Sequence, residues 1–409
     1  MTITVRTITD AEVAAYVDAM NVGFHTVTRE GEAELRRGGI APERTHAAFD
    51  GDRIVGTTRC FATELTLPGG GTLPASAVTN VAVIGTHRRQ GVLTQMMRAH
   101  LDDVIERREP LAILISAEAP IYGRFGYGSA TKSASVRIDP TEARFAVRPP
   151  TADRVRFSDR TEMRKLAPPV HDRHRATWPG SIGRTDRMWD FRFGVLHAPD
   201  EDTWKKQLHV IHEGDDGADG YATYHVEDRW NHRFPDNTVH VDELMAVTTE
   251  AYAALWHHTL GLDLVRKVVA EERPVEEPLP WLLTDPRQVD LVHLSDFLWV
   301  RVLDVPATLA ARSYAATDRL VFEVVDPFCP ASGGRFELDA GPDGATCEPT
   351  EAAPDVSVGT AELGAASLGG APLWLPAAAG RVTEHTSGAV ARFDRLFLGQ
   401  PGPWCNTWF

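Results

Sequence analysis

The sequence predicts a mixed α/β (α+β) protein built from several domains. Three observations carry that expectation. Val81, Ala82 and Val83 alternate as a half-buried strand does, and they run through a polar loop into an amphipathic helix. The same strand-to-helix order returns over residues 239–260, as an internal repeat would produce. After residue 300 the chain changes character, to short strands with Gly/Pro punctuation followed by alanine-rich helical segments. At 409 residues, 43% of them hydrophobic, the chain has room for roughly two to four domains with sizeable cores.

The elements follow in order. Ile3–Thr7 reads as an edge strand, and Asp10 is placed to cap a helix running to about Phe24. Thr45–Asp50 and residues 53–65 read as a hairpin turning at Gly51, and Pro68-Gly69-Gly70-Gly71 as a turn. The helix after the polar loop is expected to begin near Arg89. Its stripe of Val92, Leu93, Met96, Met97, Leu101, Val104 and Ile105 would dock it on a sheet. Leu111–Ile115 is a short apolar run consistent with a buried strand; residues 136–139 are expected to close the first unit. Arg148-Pro149-Pro150-Thr151 reads as a linker.

In the second unit, residues 207–211 and 220–226 read as a hairpin, and residues 239–247 as a strand leading into a helix over 248–260. Its loop, Thr248-Thr249-Glu250-Ala251-Tyr252, has no Arg pair and no Gly, and Glu250 would repel a phosphate. A degenerate copy of the first unit, empty of phosphate ligand, is the expectation. In the third, residues 320–325, 335–339, 346–349 and 356–359 read as strands, and about 361–368 and 387–398 as helices.

The loop from Thr86 to Thr94 concentrates the chemistry. Arg88 and Arg89 can fork onto phosphate oxygens, and Gly91 lets backbone approach without a Cβ in the way. The free N–H groups of the helix start add the positive end of its dipole. The P-loop pattern G-x-x-x-x-G-K-[ST] is absent, and Gly123, Gly126 and Gly128 stand in the wrong order for a dinucleotide fingerprint.

Composition excludes other classes. A net charge of −15 argues against nucleic-acid binding and suits either a cationic substrate or mere solubility. No apolar run reaches the roughly 18 residues a membrane span needs. The four cysteines, Cys60, Cys329, Cys347 and Cys405, match no zinc or disulfide pattern. The pairs His171/His174 and His257/His258 lack an evident third ligand, so no metal is expected. With no signal-peptide pattern in MTITVRTITD, a cytoplasmic location is expected.

The spacing V-x-V-x-x-x-x-R-R-x-G-V resembles the acyl-coenzyme A loop of the GNAT N-acetyltransferases. More of the chain resembles one branch, the enhanced intracellular survival (Eis) family. The segments are Thr86-His87-Arg88-Arg89-Gln90-Gly91, Ile121-Tyr122-Gly123-Arg124-Phe125-Gly126-Tyr127-Gly128, Ala246-Val247-Thr248 with Ala254-Leu255-Trp256, Leu282-Leu283-Thr284-Asp285, Leu298-Trp299-Val300-Arg301 with Asp304-Val305-Pro306-Ala307, and a final Phe409. The resemblance implies tandem GNAT folds followed by a module like sterol carrier proteins, over residues 1–148, 149–300 and 301–409, assembled as a homohexamer. It implies acetyl-coenzyme A contacts at Val81, Ala82, Val83, Arg89, Gln90, Gly91, Val92, Leu93, Thr94, Ala117 and Glu118. It implies Tyr122 as general acid and the α-carboxylate of Phe409 as general base.

An amine must lose a proton before it attacks a thioester, because a lysine-like amine has a pKa of about 10. Tyr122 could then protonate the leaving thiolate. The apolar tail, with Pro401, Pro403, Trp404, Trp408 and Phe409, is expected to fold back into the first unit's cleft. The family's substrates are aminoglycosides and lysine side chains. Thr26 and Trp408 stand where a family member carries acids, so a less acidic pocket is expected here. Phe24, Thr26, Trp408 and residues 30–35 are candidate substrate contacts. The competing expectation is a non-catalytic carrier or assembly protein that binds coenzyme A or a lipid.

Overall fold

The computed structural model describes residues 3–198 and 202–409. The chain begins with β1 (Ile3–Thr7), α1 (Val13–Gly23), α2 (Glu32–Arg37), β2 (Thr45–Asp50), β3 (Arg53–Thr66) and β4 (Thr72–Val83). Then come α3 (Val92–Glu106) and β5 (Leu111–Ile115). These strands form a seven-stranded sheet in the order β1-β2-β3-β4-β5, completed by Leu298–Val302 and Gly128–Ser129. β4 and β5 are parallel; β1 to β4 are antiparallel neighbours. Met97, Leu101 and Val104 of α3 bury against Val78, Ala112 and Leu114, so the helical stripe docks as its spacing required, except for Ile105 at its end, which stays exposed.

Two local expectations change. Glu12, not Asp10, closes the start of the first helical segment: its carboxylate accepts from the Thr9 amide at 2.8 Å and the Thr9 hydroxyl at 3.0 Å. That is the reach of a capping box. α3 begins at Val92 rather than near Arg89, because Arg89 (φ 61°) and Gly91 (φ 79°) both lie in the left-handed region and cannot continue a helix.

A larger correction concerns the end of the first unit. Residues 136–139 do not close it. Their strand, Lys132–Ile138, lies in a second seven-stranded sheet between Val289–Asp296 and Val265–Arg273. Leu298–Val302 makes the reverse crossing and pairs with β5 from Leu298↔Ile115 to Val302↔Leu111. The two sheets therefore exchange strands. The second continues through Asn237–Ala246, Gly217–Glu227, Leu208–Gly214 and Val155–Ser158. The hairpin and the strand-to-helix step into Thr249–Leu260 appear as the sequence pattern requires.

The third unit has a five-stranded sheet in the order Gly344–Pro349, Gly334–Gly341, Asp318–Val325, Val356–Gly359 and Thr383–Glu384. Thr360–Ala366 and Ala389–Phe397 are its expected helices; Trp374–Ala378 was not anticipated. It is fused to the first sheet. Arg301 and Asp326 form an ion pair with both side chains fully buried. The backbones of Gly128 and Gly364 allow strand and helix to touch: a Cβ on Gly128 would lie 1.8 Å from the Ala361 carbonyl oxygen. Gly128→Ala is therefore expected to cost roughly 1–3 kcal/mol by overpacking. Calorimetry should show a lowered Tm, and an unchanged one would mean the contact is compliant.

Candidate active site

β4 is longer than its parallel partner. The pairing with β5 ends at Val78↔Leu114, while β4 continues to Val83. Asn80 takes φ 54°, and the register with β3 shifts there. This bulge bends the strand away from β5. The Thr57 hydroxyl pins the bend by donating to the Asn80 carbonyl at 2.9 Å. Between the parted strands and the start of α3 opens a cavity of about 810 Å³.

Its wall collects most of the residues singled out from the sequence. Val81, Ala82 and Val83 form one side; Arg88, Arg89, Gly91, Val92, Leu93 and Thr94 form the helix-start corner; Ala117, Glu118 and Tyr122 face them, and Phe24 closes the α1 end. The first-turn N–H groups of α3 have no intrahelical acceptor. Gly23, His25, His87, Ile121 and Arg124 also line the wall and were missed by sequence reasoning. His87, Ile121 and Arg124 did stand inside segments that carried the resemblance, and Gly23 sits where a small residue is needed: its Cβ would come within 2.6 Å of the Ala82 Cβ.

The two arginines divide the work. The Arg88 guanidinium turns back, donating to the Val83 carbonyl at 3.2 Å and the Gly23 carbonyl at 3.4 Å. It ties α1 to β4, which departs from the expected paired fork on a ligand. Arg89, exposed and in the left-handed conformation, is presented to the cavity. His87 is buried below the loop, its ring nitrogens 2.8 Å from the Thr86 hydroxyl and 3.3 Å from the Asp50 carboxylate. Gln90, expected as a coenzyme contact, is not part of the cavity wall; its amide donates to the Thr86 carbonyl at 3.2 Å.

Tyr122 is 9% exposed. Its ring packs edge-on against Tyr127, with centroids 6.1 Å apart. Among the described residues its hydroxyl makes no hydrogen bond. Burial pushes the phenol up to about 12, with the nearby Glu118 charge adding to the shift. The group therefore keeps its proton at neutral pH.

The remaining candidates lie outside this wall. Thr26 is exposed, its hydroxyl 3.3 Å from the Asn21 carbonyl. Residues 30–35 lie on and before α2, where buried Glu32 accepts from Asn21 at 3.0 Å and Arg36 at 2.7 Å. The tail folds back onto the first sheet, though not into the cavity: the Phe409 ring meets Phe61 of β3 edge-on at 5.5 Å. Phe61 is the register partner of Ala77 on β4. Phe409 packs with the core on one face of the sheet, and Tyr122 belongs to the cluster on the other. The Trp408 indole packs on Phe297 at 5.2 Å and donates to Glu272.

Among the described residues no group of three or more His, Cys, Asp or Glu is arranged to hold a metal. His171 packs edge-on against Trp189 and His174 stacks on Trp178; His257 and His258 lie against Phe145 and Phe157. All four cysteines are free and buried. No helix among the described residues is long and apolar enough to cross a membrane.

Two models described as acetyltransferase (GNAT) domain match residues 4–130 and 180–302, and a sterol carrier protein domain model matches residues 305–406. An uncharacterized N-acetyltransferase of Streptomyces avermitilis is 39% identical over 414 residues, covering 100% of this chain and 99% of its own. The N-acetyltransferase Eis of Mycobacterium tuberculosis is 35% identical over 358 residues, covering 86% of this chain and 84% of its own. The chain belongs to the Eis family of GNAT N-acetyltransferases. The crystal structure of Eis1 from Mycobacterium abscessus superposes with a TM-score of 0.88 at 32% identity, over 100% of both chains. An Anabaena variabilis GCN5-related N-acetyltransferase, 16% identical with a TM-score of 0.85, shares the fold. As an Eis-family member the protein is an N-acetyltransferase with two GNAT domains and a sterol-carrier-like third.

Because the Tyr122 hydroxyl bonds no protein group, Tyr122→Phe orphans no partner, and the stability change should stay below about 1 kcal/mol. A marked fall in Tm would assign the phenol a structural task instead.

Proposed function

We propose that the first domain moves an acetyl group from acetyl-coenzyme A to an amine of a cationic substrate, such as an aminoglycoside or a lysine side chain. One observation carries the reading. A single cavity brings together the unpaired edge of β4, the free amides of α3, an outward-facing Arg89 and a protonated phenol. The pieces fit the donor by chemistry. Val81, Ala82 and Val83 offer backbone groups to pantetheine amides, as an added strand would need. Gly91, Val92, Leu93 and Thr94 offer N–H groups to the pyrophosphate at the positive end of a helix, and Arg89 offers a guanidinium.

The chemistry is a nucleophilic acyl transfer. The amine nitrogen forms a bond to the thioester carbonyl carbon, the carbon–sulfur bond breaks, and the sulfur leaves with the electron pair. Tyr122 supplies its proton to that sulfur. The α-carboxylate of Phe409 takes the amine's proton. Its unperturbed pKa of roughly 3.5 makes it a weak base at neutral pH, so relay through water or partial desolvation beside the Phe61 ring is needed. The placement of Phe409 on the sheet face opposite Tyr122 supports an amine and a thioester that meet from two sides, through the gap between β4 and β5. The net charge of −15 favours encounter with polyamines. Assembly as a homohexamer in the cytoplasm belongs to the same reading. The edge strand Val289–Asp296 supports contact between copies, because Leu291, Val292 and Leu294 are exposed along it.

Thiol release from acetyl-coenzyme A is the test, run against aminoglycosides, polyamines and lysine peptides. Release with a polyamine class is expected, and silence across the panel would favour a carrier. In the same assay Tyr122→Phe should lower kcat roughly 10²–10⁴-fold, and removal of Phe409 should also lower kcat. Neither change should alter coenzyme affinity; wild-type turnover in either would remove that residue from the mechanism. Arg89→Ala should leave kcat nearly intact and raise the apparent KM for acetyl-coenzyme A, and an unchanged KM would show that the phosphates dock elsewhere.

A further inference from the structure

The second domain repeats the parting of parallel strands. Asn237–Ala246 and Val265–Arg273 pair from Asn237↔Val265 to Val241↔Ala270, then separate. In the first domain the equivalent gap opens into the cavity. In the second, the chain's own tail fills it. Trp404 and Asn406 lie between residues 241–244 and 271–273. The Trp404 indole donates to the Glu272 carbonyl at 2.8 Å, and the Asn406 amide donates to Glu243 at 2.9 Å. Arg184 donates to the Thr407 hydroxyl at 2.9 Å and is itself held by Glu243 at 2.7 Å, both charged side chains being buried.

Glu272 stands out within this seat. The register with Lys132–Ile138 shifts between Ala270 and Arg273, and Glu272 takes φ 55°. A non-glycine residue held in the left-handed region is strained, and such strain gathers where a side chain must be aimed. Here it aims the carboxylate at the tail, where the Trp408 indole donates to it. The following residue is Phe409, whose ring meets Phe61.

We propose that the splayed cleft of the second domain is the receptor for the C-terminal segment, and that Glu272 is a positioning residue for acetyl transfer. By holding Trp408 it fixes where Phe409 and its carboxylate lie against β3. The inference rests on the reading of that carboxylate as the base. Glu272 faces Trp404 and Trp408 from the tail, Glu271 on its own strand, and the Glu243, Arg184 and Arg192 charges. Burial pushes it up to about 7, so its charge is poorly compensated by the fold itself.

The test measures kcat and both KM values on the full chain for Glu272→Ala, Glu272→Gln, Trp408→Phe and the Glu272→Ala/Trp408→Phe double variant, beside the protein lacking Phe409. Glu272→Ala is expected to lower kcat roughly 10- to 100-fold, as a small misplacement of a reacting group does, with the coenzyme KM unchanged. Gln keeps an acceptor oxygen and should recover most of the loss. The double variant should be no worse than the worse single one. Wild-type kcat in Glu272→Ala, no recovery with Gln, or multiplied losses in the double variant would each overturn the positioning role. Should Glu272→Ala fail to fold, Trp408→Phe decides, because it deletes the N–H donor and retains an aromatic ring; an unchanged kcat there overturns the role. Full turnover without Phe409 has a different meaning. It defeats the base reading itself, and the positioning role with it, whatever the Glu272 variants do.

Discussion

β4 outruns β5, and the site is built on that mismatch. From Thr79 to Val83 the strand has β3 on one side and no parallel partner on the other. Backbone N–H and C=O groups left facing inward demand a partner, and the loop and helix that follow close the opening with further donors. The bulge at Asn80, the Arg88 tie to Val83 and Gly23, and the close fit of Gly23 on Ala82 all serve to hold this edge at a set distance from β5. Remove the splay and the same residues form an ordinary sheet with a solvated Arg pair above it.

The second domain solves the same geometric problem differently. Thr248 caps its helix, accepting from the Ala251 amide at 3.1 Å while donating to Asp219 at 2.8 Å, so the helix start is satisfied internally. The Arg273 side chain reaches across to the Leu244 carbonyl at 3.0 Å. Tail residues occupy the rest of the gap. One architecture thus appears twice, once with an open cleft and once with a closed one, and the closed copy holds the tail whose last ring reaches the first sheet at Phe61.

Exchange of strands makes the domains interdependent. Leu298–Val302 completes the first sheet from within the second unit's sequence, and it carries Arg301 to the buried pair with Asp326 of the third. Breaking a buried pair of this kind costs roughly 3–5 kcal/mol, since it leaves an uncompensated charge. The Phe125 and Phe328 rings, 5.0 Å apart, add an apolar contact between the first and third units close to Tyr122. The third domain therefore supports the segment that carries the phenol and also delivers the tail.

Local pattern determined much of this protein. Alternation of Val81 to Val83, the stripe along α3, the Gly/Pro turns and the absence of an Arg pair after residue 247 gave the elements, the mixed class and the likeness between the first two domains. Residues adjacent in sequence, such as Arg89 to Thr94, act together because a strand–loop–helix step is a local structure, and those were legible. Partner choice was not. Lys132–Ile138 and Leu298–Val302 have patterns that suit either sheet, and only the completed cores decide which sheet each joins. The inward turn of Arg88 onto Gly23, the clasp of Glu272 on Trp408 and the seat of Phe409 on Phe61 depend on segments far apart in the chain, the first pair 65 residues apart and the second 136. Periodicity records which face of an element is apolar; it carries no information on which distant face will cover it.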